Sequence, residues 1–307
     1  MTPRKTPIQN IAFMSMMAAL NIIFSLLASF FPLAGLFIMI FLPLASALTA
    51  YYCQARYYPV YVVASLGLSI AVTAWDFSNT LFYLLPSLIS GVAYGFFKKC
   101  GLPTSLTLFF VSLLNTGLTY LSLSLIELIY EIDMISFLLG LLGLSENEYI
   151  LYGVPSFIYA YSLSQSSLSN LFIEITPLHL DNEKPLPLWL SSFAYPLYAL
   201  FCFSFVLLFS FFDRCLFLAN LFALFGLYWT VFAIAGAIPM KKASHYWVLG
   251  GSFFIGLCIS LPLLNIVPEN RLYLLGIIAL SGAMVGLFAL NLLLLRKRDE
   301  PTINDTE

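Results

Sequence analysis

The chain has 307 residues, of which 61% are hydrophobic and 9% charged, with a formal net charge of −2. Its mean hydropathy is +0.95. A soluble domain carries about 25% charged residues to dress its surface for water, so a large water-soluble catalytic domain and a disordered chain are both excluded. No basic patch offers a footprint for nucleic acid. What remains is an all-α integral membrane protein whose surroundings are lipid.

A helix needs about 20 apolar residues to cross the hydrocarbon core. Nine stretches meet this: about 11–31, 33–52, 57–75, 79–97, 105–128, 188–212, 215–238, 246–267 and 272–295. They are continuous runs, not the short alternating segments of a barrel. Arg4 and Lys5 precede the first, but no small-x-small cleavage site follows, so it reads as a retained helix and not a signal peptide. Lys and Arg near span ends mark the cytoplasmic side. Arg4–Lys5, Arg56, Lys98–Lys99, Lys241–Lys242 and Arg296–Arg298 all fall there only if one more crossing lies between 129 and 187. Met134–Leu144 and Tyr149–Leu163 are its candidates. The prediction is a polytopic bundle of nine or ten transmembrane helices in the cell membrane, N-terminus cytoplasmic.

The spans divide into a block over 1–128 and a four-span block over 188–298, with a polar tail at 299–307. Between them, 129–187 is acidic (Glu131, Asp133, Glu146, Glu148, Glu174, Asp181, Glu183) and rich in serine, from Ser162 to Ser169, and in proline. Such clusters read as loop. The segment is a solvated connector with a short helix, or else a lid or re-entrant element.

Familiar catalytic and metal patterns are missing. There is no G-x-x-x-x-G-K-[ST] loop, no H-E-x-x-H and no G-x-S-x-G. His179 and His245 lie far apart in connecting segments. The five cysteines (Cys53, Cys100, Cys202, Cys215, Cys258) show no C-x-x-C spacing. No catalytic residue, metal or cofactor is expected, and the chain reads as something other than an enzyme.

Polar groups within a membrane are costly and mark functional positions. Trp75-Asp76-Phe77-Ser78-Asn79-Thr80 forms the outer turn between the third and fourth spans. There an indole can stack on a flat solute beside a carboxylate and an amide, although Asp, Ser and Asn also suit an ordinary tight turn with Trp75 in the aromatic belt. In the fifth span Asn115 and Thr119 are four apart and share a face. They bond neighbouring helices or line a solute wall, and Glu127 lies near the outer end of the same span. In the first span Ser15-x-x-x-Ala19 permits close helix approach, and Asn21 needs a partner inside the protein. Pro32, Pro43, Pro59 and Pro86 break or kink the first four helices. Gly282-x-x-x-Gly286 reads as a packing motif in the last hairpin.

A basic start leading into Ala12-Phe-Met-Ser-Met-Met-Ala-Ala, a second helix carrying Leu42-Pro43-Leu44, and a fourth ending Gly91-Val-Ala-Tyr-Gly95 before Lys98–Lys99 form a pattern. Over about residues 8–128 it resembles the substrate-binding S components of energy-coupling factor (ECF) transporters. The resemblance implies a helical subunit that captures a micronutrient from outside and works with a transmembrane coupling protein and two cytoplasmic ATPases. It implies that the coupling protein docks on the first helix, where an alanine-x-x-x-alanine surface corresponds to Ser15-x-x-x-Ala19. The outward pocket would correspond to Trp75, Asp76 and Asn79, with Asn115 and Thr119 beneath. The expected function is thus a solute-binding subunit of a vitamin-like transporter. The alternative is a non-catalytic membrane scaffold in cell-envelope or division assemblies.

Overall fold

The computed structural model describes residues 6–131, 133, 135–136, 148–175, 188–237, 243–260 and 273–299. Among them ten long helices follow one another. They are α1 (Pro7–Phe30), α2 (Pro32–Tyr52), α3 (Tyr58–Val72), α4 (Phe77–Lys99), α5 (Thr104–Tyr130), α6 (Glu148–Ile175), α7 (Leu188–Phe209), α8 (Leu216–Ala237), α9 (Ala243–Ser260) and α10 (Tyr273–Asp299). Among the described residues six apolar segments are long enough to cross a membrane: Pro7–Phe30, Ala55–Val72, Thr80–Lys99, Thr104–Tyr130, Leu216–Ala235 and Leu274–Leu292. The protein is an all-α polytopic membrane bundle, as the composition requires.

Each of the nine apolar stretches corresponds to a helix. The tenth, α6, stands where the charge pattern asks for a further crossing. It covers Tyr149–Leu163 and runs on to Ile175, through the serine cluster that reads as loop. A serine stays in a helix when its hydroxyl folds back onto the helix's own backbone. Ser164 donates to the Ala160 carbonyl and Ser166 to that of Ser162, both at 2.9 Å. The Met134–Leu144 candidate, His179, Lys241–Lys242 and the end of the tail from residue 300 lie outside the described residues, apart from the isolated turn at 135–136.

The chain forms two compact units, Met1–Pro185 and Leu186–Glu307. Helix α6 therefore belongs to the first unit. Local signals start and stop the helices. At α1, Thr6 and Gln9 make a reciprocal capping box with Pro7 in the first turn. After α4, Gly101 takes φ 78° and lets the chain turn into α5. Glu131 adopts φ 56° at the C-terminal cap of α5. The two lysines in the last turn of α4 hold neighbouring elements. Lys99 Nζ donates to the Cys53 carbonyl at 2.6 Å, capping the last turn of α2 with a cation. Lys98, buried, donates to Thr104 Oγ1 at 2.8 Å.

In the first unit α2 packs against α1, α4 and α6, α4 also against α5, and α3 against α1 and α4. The closest approach is between α4 and α2. A Cβ on Gly91 or Gly95 would meet the carbonyls of Pro43 and Ala47, so the Gly91-x-x-x-Gly95 pair is a small-residue seam of the kind that lets membrane helices touch backbone to backbone. The interior of this unit is unusually polar. Asn10, Asn21, Ser25, Ser46, Thr49, Ser65, Ser69, Thr73, Thr80, Thr107, Ser112 and Ser162 are all fully buried.

The second unit is built differently. Helix α7 packs on α8 and α10, and α9 on α10. Its core mixes aliphatic and small side chains with Phe203, Phe225, Tyr228 and Trp229, and half-buried rings extend it: Tyr195 stacks on Trp229 with centroids 5.7 Å apart, and Phe205 on Phe222 at 5.0 Å. Gly282 lies so near α9 that a Cβ would sit 2.9 Å from the Ser252 carbonyl and 3.1 Å from Gly256 Cα. Gly286 meets the Ser252 side chain. The packing role expected of Gly282-x-x-x-Gly286 is thereby seen.

Candidate functional site

Asn21 and Tyr61 organise the middle of the first unit. Asn21 Nδ2 donates to the Tyr61 hydroxyl at 2.7 Å, and Ser46 Oγ stands 3.3 Å from the same oxygen. The partner that a mid-span asparagine demands is thus a phenol on α3, and α1 is held inside the bundle on that face.

The α3–α4 turn is a short 3-10 segment, Ala74–Asp76. Trp75 is 62% exposed and rests against Phe30 of α1 at 5.7 Å between ring centroids. Asp76 is half-buried and accepts from Ser29 Oγ at 2.9 Å, which ties the turn to α1. Its neighbour Thr73 meets Thr80 oxygen to oxygen at 2.7 Å, and Thr80 lies 3.3 Å from the Tyr83 hydroxyl, which donates to the Ser25 carbonyl at 3.2 Å. Asn79 lies in the first turn of α4, and its side chain is outside the described residues.

Asn115 and Thr119 are both buried on one face of α5. Thr119 donates to the Asn115 carbonyl at 2.8 Å, so its hydroxyl serves its own helix. Asn115 instead reaches across the bundle. Its Nδ2 donates to Gln165 Oε1 of α6 at 2.8 Å, and Gln165 Nε2 donates to Ser87 Oγ of α4 at 3.1 Å. This relay ties three helices through side chains alone. Asn115 Oδ1 is buried with no protein hydrogen-bond partner. Further along the two facing helices, Ser122 Oγ, Ser156 Oγ and Ser162 Oγ share that condition. Nearer the other end Tyr94 hydrogen-bonds Asn170, whose Nδ2 donates to Glu174 at 2.8 Å.

The predicted solute residues therefore form two places. Trp75 and Asp76 are tied to α1, whereas Asn115 and Thr119 belong to the α4–α5–α6 layer. Gln165 and Ser87, which complete that layer, are not evident from composition. The signal for Gln165 is that it is a lone glutamine amid serines. Glu127 is exposed at the end of α5.

Ser15 and Ala19, the predicted docking pair, are exposed. They line an apolar groove of about 310 Å³ between α1 and α3, together with Ile11, Ile22, Val60 and Leu68. Among the described residues no three His, Cys, Asp or Glu side chains gather in one place. A ligand in this unit would be gripped by amides, hydroxyls and rings. No known protein family, curated protein or solved structure matches the chain.

Proposed function

We propose that the chain is a membrane-embedded, solute-binding subunit of a transporter for a micronutrient-like molecule. It sits in the cell membrane with its N-terminus in the cytoplasm. The observation that carries this reading is the buried, unpartnered Asn115 Oδ1, whose amide is held in place by Gln165 and Ser87. A fixed acceptor inside a low-dielectric layer gains strongly from a solute N–H or O–H. Thr119 borders it, while Trp75 offers a ring and Asp76 a carboxylate at the α3–α4 turn. Energy would come from cytoplasmic ATPases through a transmembrane coupling subunit seated on Ser15 and Ala19. Their exposure beside an apolar groove suits such a partner.

A non-catalytic scaffold of envelope or division assemblies is the second reading. The second unit favours it, because that unit buries few polar groups beyond Ser210, Thr230 and Asn291 among its described residues. The test is purification from the native membrane in mild detergent, followed by mass spectrometry of proteins and small molecules. A coupling subunit with ATPases, or a bound small solute lost in Asn115→Leu, supports the transporter reading. Envelope or division proteins with no solute would overturn it in favour of the scaffold.

A further inference from the structure

The groove between α1 and α3 has a length, a lining and a charged end that select one kind of occupant. The two helices run in the same direction. Gln54, just before α3, donates its amide to Asn10 Oδ1 at 2.9 Å near their N-terminal ends, and Ser29 donates to Asp76 at 2.9 Å near their C-terminal ends. The lining extends from Ile11 to Ile22 on one wall and from Tyr57 to Leu68 on the other, eleven helical steps on each. Such a run rises about 16 Å. One leaflet supplies half of a hydrocarbon core about 30 Å thick, so the groove is as long as a single leaflet is deep. Beyond it the seam is bridged by the Ser29–Asp76 pair and by Phe30 against Trp75.

The walls give little polar grip. Their hydroxyls are those of Ser15, Tyr57 and Tyr61, and Tyr61 is already engaged by Asn21 and Ser46. In the middle Ser15, Ala18, Ala19 and Ala64 are small, which leaves a slot of about 310 Å³. Val60 and Leu68 on its α3 wall are exposed, so the slot opens away from the bundle. A methylene chain asks for such a slot; a polar solute does not.

The Ile11–Tyr57 end carries a cation. Arg56 is exposed, and its guanidinium lies 4.7 Å over the centre of the Tyr57 ring, itself part of the wall. The chain holds no Asp or Glu before Asp76, which stands at the opposite end of α3. Lys99 and Lys98, at the same end as Arg56, are engaged with the Cys53 carbonyl and with Thr104. A guanidinium presents a planar fork of donors matched to phosphate, and its stem can lie on apolar surface while the head stays at the interface.

We propose that the α1–α3 groove binds one acyl chain of an anionic phospholipid, with the lipid phosphate on Arg56. The chain lies in the slot past Ser15, Ala19 and Ala64 and ends near Ile22 and Leu68. A partner helix docked on Ser15 and Ala19 would displace it, so lipid and partner exclude each other. The site is the same whether the protein is a transport subunit or a scaffold, and it is independent of Asn115.

Native mass spectrometry of the purified full chain, titrated with phosphatidylglycerol or with phosphatidylcholine of the same acyl chains, tests this with no partner present. The parent should retain one phosphatidylglycerol about fivefold more tightly than phosphatidylcholine, the factor expected of one basic residue at an anionic surface. Arg56→Gln should abolish that preference. Ala64→Phe, which fills the slot from an exposed position, should weaken both lipids with the thermal midpoint retained. Equal retention of the two lipids by the parent overturns the proposal, as does a preference that survives Arg56→Gln or undiminished retention in folded Ala64→Phe. Full displacement of the lipid by millimolar inorganic phosphate also overturns it, because the site would then serve free phosphate and not a lipid. If a variant fails to fold, the two-lipid comparison and the phosphate competition on the parent still decide.

Discussion

Asn115 and Gln165, fifty residues apart in the chain, face each other across α5 and α6 and share a hydrogen bond of 2.8 Å. A buried amide that loses its partner keeps the cost of desolvation, about 1–3 kcal/mol. Asn115→Leu alone and Gln165→Leu alone should each destabilise the protein by that order. The double variant should cost less than the sum, with a coupling of about 0.6 kcal/mol and at most about 1.7 kcal/mol, as is usual within membranes. A double-mutant cycle of unfolding in mixed detergent micelles checks this, and strict additivity would show that the bond contributes nothing.

The α2–α4 seam makes a sharper prediction. At Gly91 and Gly95 a Cβ would meet α2 backbone, which has nowhere to go, whereas at Gly117 nothing lies within 4 Å. Gly91→Ala and Gly95→Ala should therefore lower the thermal midpoint strongly, by the equivalent of about 1–3 kcal/mol for an overpacked site. Gly117→Ala should be neutral or mildly stabilising, because alanine is the better helix former by about 1 kcal/mol. Equal midpoints for all three would mean that α2 and α4 are not in contact.

The helices were legible because lipid demands continuous apolar runs, and any chain with such runs advertises them. The need of Asn21 for a protein partner was legible too, since a lone amide in hydrocarbon has no other recourse. What escaped is what depends on a hydroxyl folding onto its own backbone or on a partner far along the chain. Serines from Ser162 to Ser169 read as loop, yet in α6 they are helical, with Ser164 and Ser166 folding their hydroxyls onto their own backbone. Tyr61, Ser65 and Ser69, buried on α3, keep a period of four, visible only when the polar residues of an apolar helix are read for spacing and not merely counted. Gln165 stands out as a lone glutamine amid serines, but nothing near it in the chain names Asn115 as its partner. Of the predicted site, Trp75 with Asp76 and Asn115 with Thr119 each lie together on one element, but nothing in the sequence says that the two pairs bind different helices.

Asp133 offers a pH-dependent readout at the end of the first unit's fifth helix. Ser136 donates both its hydroxyl, at 2.6 Å, and its amide, at 3.1 Å, to this carboxylate, and Ile135 donates its amide at 3.0 Å. The Ser136 hydroxyl, first, and these amides hold the carboxyl below its ordinary value. The sign follows from that depression: the stability these bonds contribute is fully present above the ordinary carboxylate range and is lost as pH falls through the lowered folded value. In Ser136→Ala the titration should move up toward the ordinary range. Following the backbone amide resonance of Ile135 against pH, in the parent and in the variant, shows whether the midpoint shifts. An unchanged midpoint would remove the hydroxyl as its cause.

The face of α1 that carries Ser15 and Ala19 separates docking from folding. Both residues are exposed along the apolar groove between α1 and α3, whereas Met14 and Ala18 beside them are buried. A bulky side chain at an exposed position has room, so Ser15→Leu with Ala19→Leu should leave the monodisperse protein and its thermal midpoint unchanged within about 0.5 kcal/mol. A partner helix that relies on small residues for close approach would be excluded by the same change. The measurement is quantitative recovery of co-purifying membrane proteins with the parent and the double variant. Loss of one specific partner with retained stability assigns the groove to docking. Full recovery would move the docking surface elsewhere, and a fall in the midpoint would mean that the pair packs within the chain instead.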